Sequence, residues 1–406
     1  MRILHVLSQR PSLTGSGITL DAMVQRAAAA GHDQRVVVGV PADGPQPEVG
    51  GLAPDRIHPL RFGSGRLDFA VPGMSDVMPY GSTRFSDLDD EQLRTYRTAW
   101  IRHLDPIVSS FRPHIIQSHH VWLMSALLKD VAPETPVSTQ CHATGLRQME
   151  LCPALAESVR MGCARNEAFL VLHEDHATLL HERLGIKRGC IHIVGAGYRQ
   201  DLFHARGRSP NTPPALLYVG KYSAAKGVPW LLEAFERIAA RRPGLRLHVA
   251  GGGAGDEAEA IRRRMEDMGP AVVQHGQLGQ AELAELARSS TVGVLPSFFE
   301  GLPLVLVEAL ACGCRLVATD LAGIRNELAP RLGPALTMVE RPRLVAVDRP
   351  DPRDLPVFVD RLERALEEAL DFPSLGDPKA SMPEALAPFT WDAVFDRVER
   401  VWRELV

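Results

Sequence analysis

Residues 296–313 read Pro-Ser-Phe-Phe-Glu300-Gly301-Leu302-Pro303-Leu304-Val305-Leu306-Val307-Glu308-Ala-Leu-Ala-Cys-Gly. Pro303 suits the first position of a helix and Gly313 suits the position just past its end, so a short helix is predicted over residues 303–312. The apolar runs 291–296 and 315–319 flank this helix and predict strands. A strand, a helix and a strand in this order indicate a parallel β-α-β unit.

Similar apolar runs recur along the whole chain and alternate with longer helical patterns. Runs of about five apolar residues, rather than alternating ones, are typical of a parallel sheet that is covered on both faces. They form two groups: 2–8, 35–40, 114–118, 136–140, 168–172 and 191–194, then 215–220, 245–250, 271–275, 291–296 and 315–319. We therefore predict an α/β chain with two doubly wound, Rossmann-like sheets and a binding site in the cleft between them.

The domain boundaries follow from composition. The pattern predicts an N-terminal domain over residues 1–204, a Pro- and Arg-rich linker over 205–214, a second domain over 215–385 and a C-terminal helix over 386–406. Residues 41–90 are rich in Gly and Pro, which predicts a long loop region rather than core. Within the last segment, residues 391–402 carry apolar side chains at helical spacing, so that helix needs a surface to dock on.

Composition excludes several classes of protein. The chain has 406 residues with 45 Lys and Arg against 49 Asp and Glu, a net charge of −4 that gives no general attraction to nucleic acid. No apolar stretch approaches the ~20 residues that cross a bilayer, and the N-terminus does not resemble a signal peptide, so a cytoplasmic protein is expected. The six cysteines contain no C-x-x-C pair, and we expect Cys312 and Cys314 to be buried rather than metal-bound.

The predicted helix offers a site for phosphate. The free amides of Leu304 and Val305 at its N-terminus are suited to phosphate oxygens, and Gly301 allows the ligand to come close. Such a site suits a diphosphate without requiring a metal. Glu300 precedes the helix and Glu308 lies inside it, so the two carboxylates can contact different parts of one elongated ligand.

Two further loops carry candidate phosphate ligands. In Gly220-Lys-Tyr-Ser-Ala-Ala-Lys-Gly, Lys221 and Lys226 can place two ammonium groups on a diphosphate, although two solvated lysines would be the simpler interpretation of this loop alone. Gly15 and Gly17 follow the first strand and precede a helix. The dinucleotide motif G-x-G-x-x-G is incomplete there, since Leu20 stands at the position of its third glycine.

Among the 15 histidines, His142 follows a predicted strand and is expected to point into the cleft. His119 and His120 end the preceding strand, and we expect local backbone groups to satisfy them. The chain has no G-x-S-x-G motif, which disfavours hydrolysis through a serine nucleophile.

Together these motifs resemble the family-4 glycosyltransferases, which are retaining enzymes of GT-B fold. The matching segments are the E-x7-E pair Glu300 and Glu308 with its flanking residues, the 220–227 loop, Val249-Ala-Gly-Gly-Gly253, Gln274-His-Gly-Gln277-Leu278, Cys141-His-Ala-Thr-Gly145 and Gly15-Ser-Gly17. The resemblance covers most of the chain. In that family the terminal helix crosses back to the N-terminal domain, which would explain the amphipathic residues 391–402.

The resemblance also implies roles for single residues. Glu308 would hold the ribose of a nucleotide sugar, Glu300 would contact the donor hexose, and His142 would lie beside the transferred sugar. The remaining donor-binding positions that it implies are Gly15, Gly17, Gly220, Lys221, Lys226, Gln277, Leu278, Gly301, Leu302, Leu304 and Val305. Lys221 and Lys226 would neutralise the diphosphate, and the backbone at Gln277 and Leu278 would meet the base.

The implied reaction is the transfer of a hexose from a UDP- or GDP-linked donor to an acceptor hydroxyl, or to a thiol as a less favoured option, with retention of configuration. Retention in this family needs no protein nucleophile, because the departing diphosphate oxygen accepts the acceptor's proton on the same face while the lysines stabilise the developing charge. No metal or cofactor is expected. The acceptor is a small molecule, a polysaccharide or a lipid-linked sugar, and we expect no nucleic acid, at most peripheral membrane contact, and a monomer or homodimer.

Alternatives remain. A catalytically silent nucleotide-sugar-binding protein, or an epimerase or inverting transferase, could share this fold. A helix over residues 91–111 with Arg94, Arg97 and Arg102 could contact a membrane, although an ordinary packed helix with a solvated rim is the simpler interpretation. Lys221 stands where the family often has Arg, and Arg315 stands where Pro is common. Because of these differences, the resemblance does not determine the details of the phosphate contacts or the identity of the acceptor.

Overall fold

The computed structural model describes residues 1–11, 14–75, 78–209, 211–372, 375 and 383–406. The chain divides into two compact units. The first contains Met1–Ala196 and Trp391–Val406, and the second contains Gly197–Thr390. Each unit has its own parallel sheet, which confirms the predicted pair of Rossmann-like folds.

The first unit is built on a seven-stranded sheet of order β3-β2-β1-β6-β7-β8-β9, in which every neighbouring pair is parallel. Its strands are β1 (Arg2–Leu7), β2 (Asp33–Pro41), β3 (Ile57–Phe62), β6 (Ile115–His119), β7 (Val137–Gln140), β8 (Ala168–Val171) and β9 (Ile191–Ile193), and a separate small pair is β4 (Pro72–Gly73) and β5 (Thr83–Arg84). Its helices are α1 (Gly15–Ala29), α2 (Asp90–Phe111), α3 (Leu123–Ala126), α4 (Leu128–Val131), α5 (Ala143–Leu151), α6 (Pro153–Cys163) and α7 (Glu174–Leu184).

The prediction that residues 41–90 lie outside the core is wrong, and residues 57–62 form a strand rather than a loop. β3 is an edge strand of the main sheet, and Phe62, Phe69 and Phe85 are buried in the core with Trp100 of α2. The β3 sequence, Ile-His-Pro-Leu-Arg-Phe, contains a proline and lacks a continuous apolar run. An edge strand tolerates proline because one side of the strand makes no ladder hydrogen bonds. The sequence of β3 therefore lacks the continuous apolar run by which the other strands were predicted.

The C-terminal helix, Trp391–Leu405, belongs to the first unit. Its buried face is Trp391, Val394, Phe395, Val398, Val401 and Trp402, as the helical spacing predicted. These side chains pack with Ile3 of β1 and Met23 of α1. The Trp402 indole donates a 2.8 Å hydrogen bond to the side-chain oxygen of Gln117, so the helix is anchored by a buried polar contact as well as by apolar packing.

The second unit has a six-stranded parallel sheet of order β12-β11-β10-β13-β14-β15. Its strands are β10 (Ala215–Lys221), β11 (Arg246–Gly252), β12 (Val272–Gly276), β13 (Val292–Leu295), β14 (Arg315–Thr319) and β15 (Leu336–Val339), with a small antiparallel pair β16 (Leu344–Ala346) and β17 (Arg349–Pro350). Its helices are α8 (Val228–Ala239), α9 (Asp256–Asp267), α10 (Gln280–Arg288), α11 (Leu304–Ala311), α12 (Ala329–Leu332), α13 (Leu355–Asp371) and α14 (Pro383–Leu386).

The segment before β10 is part of the second unit rather than a free linker. The Arg208 guanidinium donates hydrogen bonds to the carbonyls of Ala287, Arg288 and Cys312 at 3.3, 2.9 and 3.2 Å. Arg288 in turn donates to the carbonyl of Leu202 at 2.9 Å. The division therefore falls between residues 196 and 197, before the predicted linker over 205–214.

Cys312 and Cys314 are fully buried, as expected from their apolar surroundings. Within the described residues, no group of three or more His, Cys, Asp or Glu side chains is arranged to hold a metal ion. In the same part of the chain, no helix has the length and apolar character needed to cross a membrane.

Candidate donor-binding and catalytic residues

The loop and helix at residues 296–312 form as the sequence predicted, except that the helix is one residue shorter at each end, Leu304–Ala311. Pro303 is the N-cap in an extended conformation, with φ −80° and ψ 94°, so α11 begins at Leu304 rather than at the proline. None of the described groups accepts a hydrogen bond from the amide of Leu304 or of Val305. Gly313 follows the helix with a φ of +92°, the left-handed conformation that favours glycine after a helix end.

Lys226 and Glu300 form an ion pair that joins the two candidate loops of the second unit. The Lys226 ammonium lies 2.7 Å from a Glu300 carboxylate oxygen and 3.3 Å from the Phe299 carbonyl. The Phe298 amide donates a 3.0 Å hydrogen bond to the Ala225 carbonyl, so the loops are also joined through their backbones. The structure thus brings together two residues that are 74 positions apart in the sequence.

Gly227 allows this close approach. Its φ is +72°, and a Cβ at this position would lie 2.1 Å from the Pro296 carbonyl oxygen. Gly220 is similarly constrained, since a Cβ there would lie 2.6 Å from the Tyr218 hydroxyl oxygen. That hydroxyl donates a 2.7 Å hydrogen bond to the Lys221 carbonyl and so fixes the backbone at the exposed end of β10.

Glu308 lies on α11 and has no hydrogen-bond donor for its carboxyl group among the described residues. Burial raises the pKa of this carboxyl to about 7, because the surrounding protein disfavours the charged form. The group is therefore available to accept hydrogen bonds from a ligand, and it titrates near neutral pH.

The remaining predicted positions of the second unit are less constrained. Gln277 is exposed and Leu278 is half-buried, directly after β12. Gly301 is half-buried and Leu302 is buried in the loop before α11. No described contact assigns these four residues a specific partner, so their roles stay predictions.

In the first unit, Gly15 and Gly17 lie in the first turn of α1, so the prediction that they precede the helix is wrong. Thr14 caps this helix, and its hydroxyl accepts a 3.2 Å hydrogen bond from the Gly17 amide. The Gln9 side-chain amide donates to the hydroxyls of Thr14 and Ser16 at 3.0 and 2.8 Å, which fixes the cap. The Gly17 amide is therefore already used within the protein.

His142 caps the start of α5, two residues after the end of β7, and contacts His119, the last residue of β6, and His120, which follows it. Its Nε2 lies 3.3 Å from Nδ1 of His119, and its ring centroid lies 4.7 Å from that of His120. Nδ1 of His120 lies 3.2 Å from the Thr144 hydroxyl. The expectation that backbone groups satisfy the His119 and His120 rings is therefore wrong, because both rings face the residues that follow β7.

His120 has a φ of +68°, which is uncommon for a residue other than glycine. Three hydrogen bonds hold its backbone: its amide donates to the Gln140 carbonyl at 2.9 Å, and its carbonyl accepts from the Ser125 hydroxyl at 2.6 Å and the Trp122 amide at 3.0 Å. Backbone strain of this kind is concentrated at functional sites.

Two further histidines extend the cluster. His173 and His176 follow β8, and their ring centroids are 3.9 Å apart. Burial lowers the pKa of His142 to about 4 and that of His176 to about 3, and the pKa values of the other three are lowered for the same reason. All five rings are therefore neutral at pH 7. Their shared signal in the sequence is their position, since each follows or ends one of three neighbouring parallel strands.

Two family models match the chain in succession. The model described as "Glycosyl transferase 4-like domain" matches residues 14–197, and the model described as "Glycosyl transferases group 1" matches residues 213–346. The chain belongs to the GT-B glycosyltransferases of the family 4 type. The predicted family and fold are thereby confirmed.

This glycosyltransferase is similar to several known proteins, and the solved structures among them share its fold. It is 26% identical to a glycogen synthase of Mycobacterium tuberculosis over 352 residues, which cover 80% of this chain and 79% of that protein. Among solved structures, sucrose-phosphate synthase from Thermosynechococcus elongatus matches with a TM-score of 0.72 and 19% identity, covering 100% and 99% of the two chains. A UDP-forming trehalose-phosphate synthase from Burkholderia xenovorans matches with a TM-score of 0.67 and 16% identity, again over 100% and 99%.

Proposed function

We propose that this glycosyltransferase is a retaining enzyme that moves a hexose from a UDP- or GDP-linked donor to an acceptor hydroxyl. The observation that carries the proposal is the contact between Lys226 and Glu300 at 2.7 Å, beside the free N-terminal amides of α11. The Lys226 ammonium and the two unpaired amides suit the phosphates of a nucleotide sugar. The Glu300 carboxylate on the adjoining loop suits its hydroxyls.

The diphosphate binds to the amides of Leu304 and Val305 and to the ammonium groups of Lys221 and Lys226. When phosphate oxygens approach, they compete with Glu300 for Lys226. A Glu300 oxygen that is released in this way can accept hydrogen bonds from hydroxyls of the donor hexose. Glu308, which has no donor of its own among the described residues, accepts hydrogen bonds from the ribose hydroxyls.

Transfer needs no protein nucleophile. The bond between the anomeric carbon and the diphosphate oxygen breaks, and the acceptor oxygen bonds to the same face of that carbon. The departing diphosphate oxygen takes the acceptor's proton. Lysines and helix amides stabilise the negative charge that develops on the leaving group, so the mechanism requires no metal ion or cofactor.

His142 donates a hydrogen bond to the transferred sugar in this proposal. Its ring is neutral at pH 7, because burial lowers the pKa to about 4. A neutral imidazole presents one donor and one acceptor, which suits a sugar hydroxyl better than a charged ring would. The acceptor is a hydroxyl of a small molecule, a polysaccharide or a lipid-linked sugar.

The test is a panel of UDP- and GDP-sugars incubated with the purified protein and varied acceptors. We expect release of nucleoside diphosphate with one donor class, and NMR of the product is expected to show the donor's anomeric configuration. An inverted product would contradict the retaining mechanism. Donor binding with no turnover on any acceptor would instead favour the catalytically silent nucleotide-sugar-binding protein.

A further inference from the structure

A cavity of about 520 Å³ opens between β3, the turn that follows it and one face of α2. This volume lies within the range of roughly 300–1,000 Å³ that is usual for small-molecule sites. Its polar lining consists of Ser64 and Arg66 from the turn, with Arg94, Thr95, Thr98, Arg102 and His103 from the helix. No carboxylate lines the cavity among the described residues.

Arg66, Arg94 and Arg102 lack partners. None of the three guanidinium groups forms a hydrogen bond or ion pair with the described part of the chain. Glu91 and Asp105 lie one turn away on α2, but they form no ion pair with these arginines. Three guanidinium groups around one cavity repel each other, so an anion in the cavity gains attraction from each of them and relieves that repulsion.

The turn that presents Arg66 is well defined. The amides of Gly63 and Ser64 donate to the Leu67 carbonyl at 2.7 and 2.9 Å, and the Leu67 amide donates back to Ser64 at 3.2 Å. Thr98 and Arg102 are one helical turn apart on α2, and Arg94 lies one turn before Thr98, so the three share a face. The cavity therefore combines guanidinium forks and hydroxyl donors on two ordered elements.

We propose that this cavity is an anion site for a phosphate group carried by a soluble small molecule, bound by Arg66, Arg94 and Arg102 with hydroxyl donors from Ser64, Thr95 and Thr98. Guanidinium groups bind phosphate in a bidentate manner, and hydroxyls satisfy its remaining oxygens. The lining of this site shares no residue with the predicted donor-binding positions.

A lipid headgroup offers the same phosphate chemistry, but the surface does not suit a membrane. A helix that lies in a membrane surface inserts large apolar side chains into the lipid. None of the exposed large apolar residues in the described part of the chain lies on α2 or on residues 60–67. A concave site with polar walls favours a soluble ligand.

The cavity is also separate from the histidine cluster. Leu60 of β3 lines it, and β3 is four strands away from β7, which precedes His142. At about 4.8 Å between strands, this separation is on the order of 19 Å across the sheet. The lining of the cavity includes none of the five clustered histidines.

The test is equilibrium dialysis of the full chain against radiolabelled inorganic phosphate at low ionic strength. The variant is Arg94→Ser with Arg102→Ser, and the matched control is Arg263→Ser with Arg364→Ser. The control pair removes two arginines that are also exposed, lie on helices and have no described partner. We expect one phosphate site to weaken at least tenfold in the first variant and to be unchanged in the control.

Circular dichroism and melting temperature establish that both variants are folded. Phosphate that binds near Lys221 and Lys226 persists in both, so the two sites are counted separately. Equal phosphate binding in all three proteins would overturn the proposal. So would sedimentation with phosphatidylglycerol vesicles that depends on Arg94 and Arg102 while inorganic phosphate does not bind, because the ligand would then be a lipid surface.

Discussion

At the scale of single residues, Glu308 is the side chain whose ionisation state is most informative. Its pKa of about 7 means that the free protein carries both forms at neutral pH. Ribose hydroxyls donate hydrogen bonds to the carboxylate and so favour the ionised form. Donor binding is therefore expected to lower this pKa and release a proton.

This proton release can be measured directly. Calorimetric titration of the donor at pH 7 in buffers of different ionisation enthalpy is expected to show release of a fraction of one proton. Donor affinity should rise with pH up to about 7 and then level off. Glu308→Gln should bind the donor more weakly with no such pH dependence, and a variant that retains the proton release would exclude Glu308 as its source.

His142 is expected to act on turnover rather than on donor binding. His142→Ala removes a hydrogen-bond donor beside the transferred sugar, and such a loss lowers kcat roughly 10²–10³-fold. In the proposed function other residues, among them Lys226 and Glu308, hold the phosphates and the ribose of the donor, so the donor Kd should change little. Steady-state kinetics and donor titration measure the two quantities. A loss confined to donor affinity would contradict the proposed role.

At the scale of elements, Gly227 tests the contact between the two loops of the second unit. Gly227→Ala introduces a Cβ 2.1 Å from the Pro296 carbonyl oxygen at a φ of +72°, so the loops must separate. We expect the donor KM to rise more than tenfold. Gly207→Ala is the matched control, because Gly207 has a similar φ of +82° but no atom within 4 Å of the added Cβ.

The control should lose only the ~1–2 kcal/mol that a left-handed conformation costs a residue with a Cβ, and its KM should be unchanged. Thermal melting and donor kinetics separate the two effects. If both alanine variants showed the same KM, steric separation of the loops could not explain donor binding.

The C-terminal helix is expected to stabilise the first unit. Trp402 is fully buried and bonded to Gln117 at 2.8 Å. Trp402→Ala creates a cavity and leaves the Gln117 oxygen unpaired, so unfolding free energy should fall by about 3–5 kcal/mol. Urea denaturation followed by circular dichroism measures this loss. Arg400→Ala, on the same helix but outside its buried face, should have little effect.

At the scale of the whole molecule, the histidine cluster makes stability sensitive to acid. In the folded state burial lowers the pKa of His142 to about 4 and that of His176 to about 3, and it also lowers the pKa values of the other three. In the unfolded chain all five imidazoles take up protons below about 6.5. The unfolded state then binds more protons, so stability is expected to fall as the pH decreases from 6.5 towards 4. At pH 7 and above, this contribution is absent.

Melting temperatures between pH 7.5 and 4.5 test this expectation. His176→Gln removes one buried imidazole, so its melting temperature should fall less over this range than that of the unmodified protein. His192→Gln, on β9 and only half-buried, is the matched control. If the unmodified protein and His176→Gln lost stability equally, His176 would have no part in the acid sensitivity.

The second unit shows which structural elements local sequence patterns can predict. Strand β13, helix α11 and strand β14 lie where the apolar runs, Pro303 and Gly313 predicted them. These signals act within a few residues, since a proline restricts its own φ and a glycine permits the turn after a helix. The sequence pattern does not predict edge strand β3, because Pro59 and the polar residues interrupt it, and the place of β3 in the sheet depends on pairing with β2.

The alternation of apolar runs with helical patterns was enough to establish the two-sheet fold, and the spaced glutamates and lysines were enough to suggest the family. Each of these signals is contained in short stretches of the sequence. The contact of Lys226 with Glu300, and that of His142 with His119 and His120, became visible only in the folded chain. Those side chains come from separate loops, and only strand pairing and loop packing place them within a few ångströms of each other.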